Sequence, residues 1–203
     1  LHQADADLAA SLYGMLRTLE IGLRNTIDHR LRDHLATPDW ILSPPQRLAW
    51  KDAERRAIGE ALRRAESSGS ASDTIRSRHD RVVSSLPFGF WCHLFKTAYE
   101  NVLWRGALER FFPNRAIRGR DVFLRLDELR EIRNRVAHHD AILPNRSRRA
   151  REAVAWLLHE MTPIPGMVHS RDAFGMLLTP LAERVERREA RVAALLSVTT
   201  GVD

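Results

Sequence analysis

The sequence contains few of the residues on which several classes of protein depend. Its single cysteine, Cys92, cannot form an intramolecular disulfide or supply a thiolate cluster for a metal. No stretch approaches the roughly 20 apolar residues that a membrane-spanning helix needs. His93, His159 and His169 are scattered and lack acidic partners at metal-binding spacing. We therefore expect neither a metal centre nor another cofactor.

Export signals are also missing. No N-terminal stretch combines positive charge, an apolar segment and a small-residue cleavage site. The first residue is Leu1 rather than Met, so the sequence does not establish where the natural protein begins. The expectation is a cytoplasmic protein with no membrane partner.

Lysine is scarce as well, which makes the positive charge almost entirely arginine. The chain carries 32 Lys and Arg against 26 Asp and Glu, with a net charge of +6, and its only lysines are Lys51 and Lys96. Guanidinium groups bind phosphate in a bidentate manner and stack on bases, so this composition favours RNA as a partner. A GC-rich coding sequence would give the same bias, but the arginines also cluster on both sides of His138. The clustered residues are Arg115, Arg118, Arg120, Arg125, Arg130, Arg133, Arg135, Arg146, Arg148, Arg149 and Arg151.

Apolar residues recur at helical spacing through most of the chain, and no segment alternates as a strand would. The predicted fold class is therefore all-α. A Ser-Gly-rich loop at 67–72 separates the second helix from a segment that Asp73 can cap. The other expected helices are separated by Pro87, Pro113 and Pro144 and by the irregular stretch 163–166. They cover residues 8–34, 43–66, 88–112, 119–138, 147–159 and 177–196.

The most informative segment is 133–139, at the end of the helix expected to begin at residue 119. Arg133, Asn134 and His138 supply a permanent cation, an orienting amide and a proton carrier within six positions. A metal-independent ribonuclease needs these groups, because one must hold the phosphate and another must move protons at neutral pH. The plainer interpretation is an arginine and a histidine on a solvated helix face.

Three segments together resemble one family of proteins. Residues 133–138 match the R-N-x-x-x-H form of the motif in HEPN domains, 19–25 resemble the E-x-x-L-R-N segment, and 86–91 resemble the L-P-F-G-F-W segment of the abortive-infection (Abi-like) family. They occur in the family's order, and the resemblance extends from about Leu8 to about Leu158. It implies an up-and-down helical bundle of the HEPN type in residues 1–161, followed by a C-terminal helical extension in 162–203.

The resemblance also implies an activity. HEPN proteins of this kind are metal-independent endoribonucleases of phage defence or toxin–antitoxin systems, and they form a composite site from two motifs at a homodimer interface. The implied reaction is attack of a ribose 2′-OH on the adjacent phosphorus, which leaves a 2′,3′-cyclic phosphate. A protein or RNA antitoxin is a further possible partner. The alternative is a HEPN bundle without catalysis that binds RNA or docks another protein.

The site residues follow from the motif and its surroundings. Arg133 would hold the scissile phosphate, His138 would act as general acid or base, and Asn134 would orient His138 or donate to a phosphate oxygen. His139 is more simply a helix-terminal residue. Residues near the motif that we expect to bind RNA are Arg130, Arg135, His139, Arg148 and Arg149. Residues expected to support the motif helix are Glu20, Arg24 and Asn25, with Glu20 and Arg24 able to pair on one helix face.

Helix geometry constrains the site. On an ideal helix Arg133 and His138 differ by about 140° in direction, whereas Asn134 and His138 share a face. Converging Arg133 and His138 on one phosphate therefore requires either a distorted helix near Asn134 or a twofold dimer.

Two further segments have competing interpretations. Arg24, Asn25 and His29 repeat the R-N-x-x-x-H spacing, but the family resemblance there does not include His29, which favours a structural role. The aromatic residues of 88–91 could stack on bases, yet their position at the start of an apolar helix favours the protein core.

Overall fold

The computed structural model describes residues 2–67, 74–138, 140, 144–161 and 171–200. Within these ranges all regular structure is helical, which confirms the all-α class. Three short 3-10 or π turns lie between α4 and α5, at Thr97–Tyr99, Glu100–Trp104 and Leu108–Phe111. The α-helices are α1 His2–Leu35, α2 Asp52–Ser67, α3 Ile75–Ser85, α4 Phe88–His93, α5 Gly119–Ala137, α6 Pro144–Glu160 and α7 Arg171–Thr200.

The second helix begins later than its prolines suggested. It was expected from residue 43 but begins at Asp52, and residues 36–51 form turns instead. Trp50 explains the difference, because its buried indole donates to the carbonyl of Ile41 at 3.3 Å and packs on Trp40 at a centroid distance of 5.8 Å. These contacts of Trp50 hold residues 36–51 in turns rather than in a continuous helix.

The helix expected over 88–112 is also wrong in its extent. Only Phe88–His93 is α-helical, and shorter turns follow. Lys96 is extended, at φ −67° and ψ 152°, and Gly106 has a φ of 83°, in the left-handed region that favours glycine. Those two positions interrupt the helix twice.

The chain divides into two compact units. The first comprises residues 1–22 and 124–203, and the second comprises residues 23–123. Helices α1 and α5 each run from one unit into the other.

The first unit holds the motif and has an aliphatic core. The predicted apolar face of α1 is fully buried, and the buried residues of α5 are those that the spacing indicated. Helix α7 packs against α6 and buries Leu178, Val185 and Val192. The buried residues of α5 in this unit are Leu126, Leu129, Ile132 and Val136.

The second unit has an aromatic core. Phe88, Phe90 and Trp91 are at most 3% exposed, which confirms the core interpretation of this segment. Gly119, at the start of α5, lies against the same core, because a Cβ there would come within 2.9 Å of the Phe95 carbonyl oxygen. Glycine is therefore required at this close approach.

Among the residues that the structure describes, no helix is both long enough and apolar enough to cross a membrane.

Candidate active site

The motif lies on the last turns of α5, whose inner face fixes its orientation. Ile132 and Val136 are buried beside it, so the intervening positions face outward. Arg133 and Asn134 are half-buried, and His138, just beyond the helix end, is exposed. All three side chains are therefore at least partly exposed to solvent.

Arg133 has a carboxylate partner on α1. Its Nε lies 3.5 Å from Oε2 of Glu20, with the arginine side chain 32% exposed and the glutamate 14%. No other described residue binds this guanidinium, so its Nη edge is available to a ligand. A guanidinium offers two edges to its partners, and the carboxylate of Glu20 lies on the Nε side.

The backbone remains helical up to Ala137, one residue before His138. The N–H of His138 donates to the carbonyl of Asn134 at 3.0 Å and contacts that of Arg135 at 3.2 Å. Helix α5 runs unbroken from Gly119 to Ala137, so it is not distorted near Asn134. In the described part of the chain no hydrogen bond or ion pair joins Arg133 to His138.

The other arginines expected to bind RNA differ in their surroundings. Arg130 is half-buried, with Asp127 at 2.7 Å and Glu131 at 3.9 Å. Arg135 lies 3.8 Å from Asp140, and Arg148 lies 3.8 Å from Glu152, both in exposed pairs. Arg149 is exposed, and His139 falls outside the described residues.

Arg148 also lines a groove of about 390 Å³ between α6 and α7. There Arg151 contacts Glu186 at 3.4 Å and Glu189 at 3.2 Å, so the groove holds two arginines and two glutamates. Its charges balance, which gives no electrostatic preference for an anion.

The N-terminal segment 24–29 belongs to the second unit. Arg24 donates from Nη1 to the carbonyl of Ser84 at 3.2 Å, and Asn25 is exposed. His29 is exposed and lies 3.6 Å from Asp33. Glu20, one of the residues expected to support the motif helix, lies 3.5 Å from Arg133 on that helix.

Two buried polar clusters in the second unit were not predicted. Asp28 accepts from the Trp40 indole at 2.9 Å, lies 2.8 Å from Nε2 of the fully buried His79, and pairs with Arg32. Burial alone raises the pKa of Asp28. The hydrogen bonds from His79 and Trp40 and the charge of Arg32 outweigh burial, so the pKa lies below its ordinary value.

The second cluster centres on Glu54, which is 3% exposed. Its carboxylate accepts from the Tyr99 hydroxyl at 2.7 Å and lies 2.6 Å from Nδ1 of His93. Burial, together with the Glu54 carboxylate, raises the pKa of Tyr99. These partners are 45 and 39 residues from Glu54 along the chain, so no local sequence pattern could have revealed them.

Among the described residues, no group of three or more His, Cys, Asp or Glu side chains could hold a metal ion.

Searches of protein-family models, curated proteins and solved structures find no match to this chain. The three short segments 19–25, 86–91 and 133–138 therefore carry the family resemblance by themselves.

Proposed function

We propose that the protein is a metal-independent endoribonuclease of the phage-defence or toxin–antitoxin type, acting through Arg133, Asn134 and His138. The observation that supports this most is the Glu20–Arg133 pair. It joins two of the segments on which the Abi-like resemblance depends, and it holds one edge of the guanidinium while the other remains available.

The chemistry follows from the groups present. A base takes the proton of a ribose 2′-OH, the 2′-oxygen bonds to phosphorus, and the P–O5′ bond breaks as an acid protonates the leaving 5′-oxygen. An imidazole can fill either role near neutral pH. Arg133 would neutralise the negative charge that accumulates on the phosphoryl oxygens in the transition state.

Two copies of the chain would complete the site. The reaction needs a base and an acid, and each motif supplies one exposed histidine in the described part of the chain. On a regular continuation of α5, residues five positions apart point about 140° apart, so a twofold dimer would bring Arg133 and His138 of two copies to one phosphate. The cytoplasm is the proposed location, and a protein or RNA antitoxin the proposed regulator.

The test is cleavage of labelled single-stranded RNA in the presence of EDTA by the wild type and by His138→Ala. We expect cleavage by the wild type, with 2′,3′-cyclic phosphate ends, and a loss of about 10²–10⁴-fold in the variant. The matched control is His29→Ala, because His29 is also exposed and ends the second R-N-x-x-x-H sequence. RNA binding without cleavage would favour the non-catalytic HEPN module, and loss of cleavage on chelation would contradict the metal-free mechanism.

A further inference from the structure

A second arginine-rich surface lies in the first unit, where α7 meets α1. It is a groove of about 500 Å³ that four arginines of α7 line together with Asp7, Ala10 and Ser11 of α1. The four arginines are Arg184, Arg187, Arg188 and Arg191.

The spacing of these arginines places them on one face of the helix. Positions i, i+3, i+4 and i+7 form a row that rises about 10 Å along the axis. Val185 and Val192 are buried beside the row, and their burial fixes which side of α7 carries the arginines. The opposite wall of the groove carries the short side chains of Ala10 and Ser11, which leave space between the helices.

The charge of the groove is unbalanced. Asp7 is the only carboxylate among its lining residues, and it lies 2.9 Å from Arg188, which fixes that guanidinium in place. Arg187 lies 3.8 Å from Glu183 in an exposed pair of the kind that contributes little stability. Arg184 and Arg191 are exposed and have no acidic partner among the described residues. The groove between α6 and α7, by contrast, has balanced charges.

We propose that this groove binds the phosphate groups of a single-stranded RNA, at a site separate from the motif. Guanidinium groups recognise phosphate oxygens in a bidentate manner, and a row of them about 10 Å long can contact successive phosphates of one strand. A groove of about 500 Å³ accommodates a segment of a single strand better than a duplex. The proposal does not require cleavage at Arg133 and His138.

The groove and the motif contact different parts of α1. Asp7, which contacts Arg188, and Glu20, which contacts Arg133, are both on this helix. Thirteen residues separate them, which corresponds to about 20 Å along the axis and about 140° around it. An RNA bound in the groove therefore contacts a different face of the first unit from one bound at the motif.

The experiment is fluorescence anisotropy with a labelled 12-nucleotide 2′-O-methyl RNA, which cannot be cleaved because its 2′-oxygens are blocked. Affinity is measured against KCl concentration for the wild type and for Arg184→Gln with Arg191→Gln. We expect at least about a tenfold weaker affinity, since the loss of one charge-assisted hydrogen bond alone accounts for about this much. The slope of log K against log salt should flatten by about 1.4, at roughly 0.7 per phosphate contact.

The control is Arg56→Gln with Arg63→Gln. These arginines are also exposed and seven residues apart on a helix, so the pair removes the same charge with the same spacing. A second variant, Ala10→Glu, places a carboxylate in the groove and should weaken binding, whereas Ala53→Glu on the exposed face of α2 should not. Equal losses of affinity in the groove and control variants would show that only net charge matters, and this would overturn the proposal.

Two further outcomes would also overturn it. One is unchanged binding in both groove variants, and the other is displacement of the RNA by inorganic pyrophosphate at an equal concentration of phosphate groups, which would indicate a site for small phosphates. Because the probe is uncleavable, His138→Ala should bind it at the groove like the wild type. Failure of the groove proposal is thus distinguishable from failure of the ribonuclease proposal.

Discussion

Glu20 on α1 and Arg133 on α5 form an ion pair, with Oε2 and Nε 3.5 Å apart, across 113 positions of the sequence. Both side chains are less exposed than those of a typical surface pair, at 14% and 32%. Partial burial strengthens the attraction and limits the movement of the guanidinium. The pair thereby connects segment 19–25 to the motif.

The first prediction is that Glu20→Ala lowers RNA cleavage by about 10- to 100-fold. The reason is loss of position, since a displacement of about 1 Å in a phosphate-binding group can cost about 10²-fold in rate. Glu20→Gln should retain more activity than Glu20→Ala, because it keeps the length of the side chain and a polar oxygen beside Nε of Arg133. Single-turnover rates and RNA affinity, measured separately, show whether the loss is in the chemical step.

Glu60→Ala is the matched control for this prediction. It breaks another arginine–glutamate pair, to Arg64, with the same 3.5 Å separation but on the exposed face of α2. We expect no change in cleavage there. Equal losses in Glu20→Ala and Glu60→Ala would indicate a general effect on the fold rather than a role for Glu20 in positioning Arg133.

The second prediction is a homodimer with the motif near the interface. Light scattering at micromolar concentration should give twice the chain mass of 23.3 kDa. A charge-reversing substitution beside the motif, Arg135→Glu, should weaken the dimer more than Arg105→Glu, which changes an exposed arginine of the second unit. A monomer at these concentrations would remove the basis for a composite site.

The third prediction concerns the arginines that follow the motif. Arg148→Gln with Arg149→Gln should flatten the salt dependence of RNA binding, at roughly 0.7 per lost phosphate contact. Arg149 is exposed and Arg148 has only an exposed partner, so the fold should be retained. Circular dichroism checks the fold, and an unchanged salt slope would place the RNA on another surface.

The sequence predicted the buried residues correctly wherever helix periodicity determines which side of a helix faces the core. The spacing of Leu126, Leu129, Ile132 and Val136 identified the buried face of α5, and burial in the structure agrees. That face in turn fixes the outward direction of Arg133. Local patterns thus placed Arg133 and Asn134 on the partly exposed side of α5.

Local patterns failed where distant contacts determine the backbone. Two prolines at 44 and 45 are compatible with a helical first turn and also with the turn that is present, and the burial of Trp50 decides between them. The arginine row of α7 is visible in the sequence, but the small residues that face it across the groove are on α1. Such pairings depend on tertiary packing, which no single segment encodes.

The fourth prediction is that Asp28→Asn lowers the free energy of unfolding at pH 7 by about 1.5–3 kcal/mol, the usual contribution of hydrogen bonds to a charged group. The amide can still accept from Trp40 but loses its charge opposite Arg32. The matched control is Asp33→Asn, on the same helix but 60% exposed, with an expected change within about 0.5 kcal/mol.

The pH dependence of that difference gives the sharper test. The folded-state pKa of Asp28 lies below the ordinary value of 3.8, so the unfolded chain binds this proton more readily than the folded one. The stability that the carboxylate contributes is therefore fully present above its ordinary pKa and is lost as the pH falls through the folded-state pKa. In urea unfolding at pH 7, 5, 4 and 3, the gap between the wild type and Asp28→Asn should be constant at the higher values and narrow below about pH 4. A gap that stays constant or widens as the pH falls would mean that the carboxylate is not held in its charged form by His79, Trp40 and Arg32.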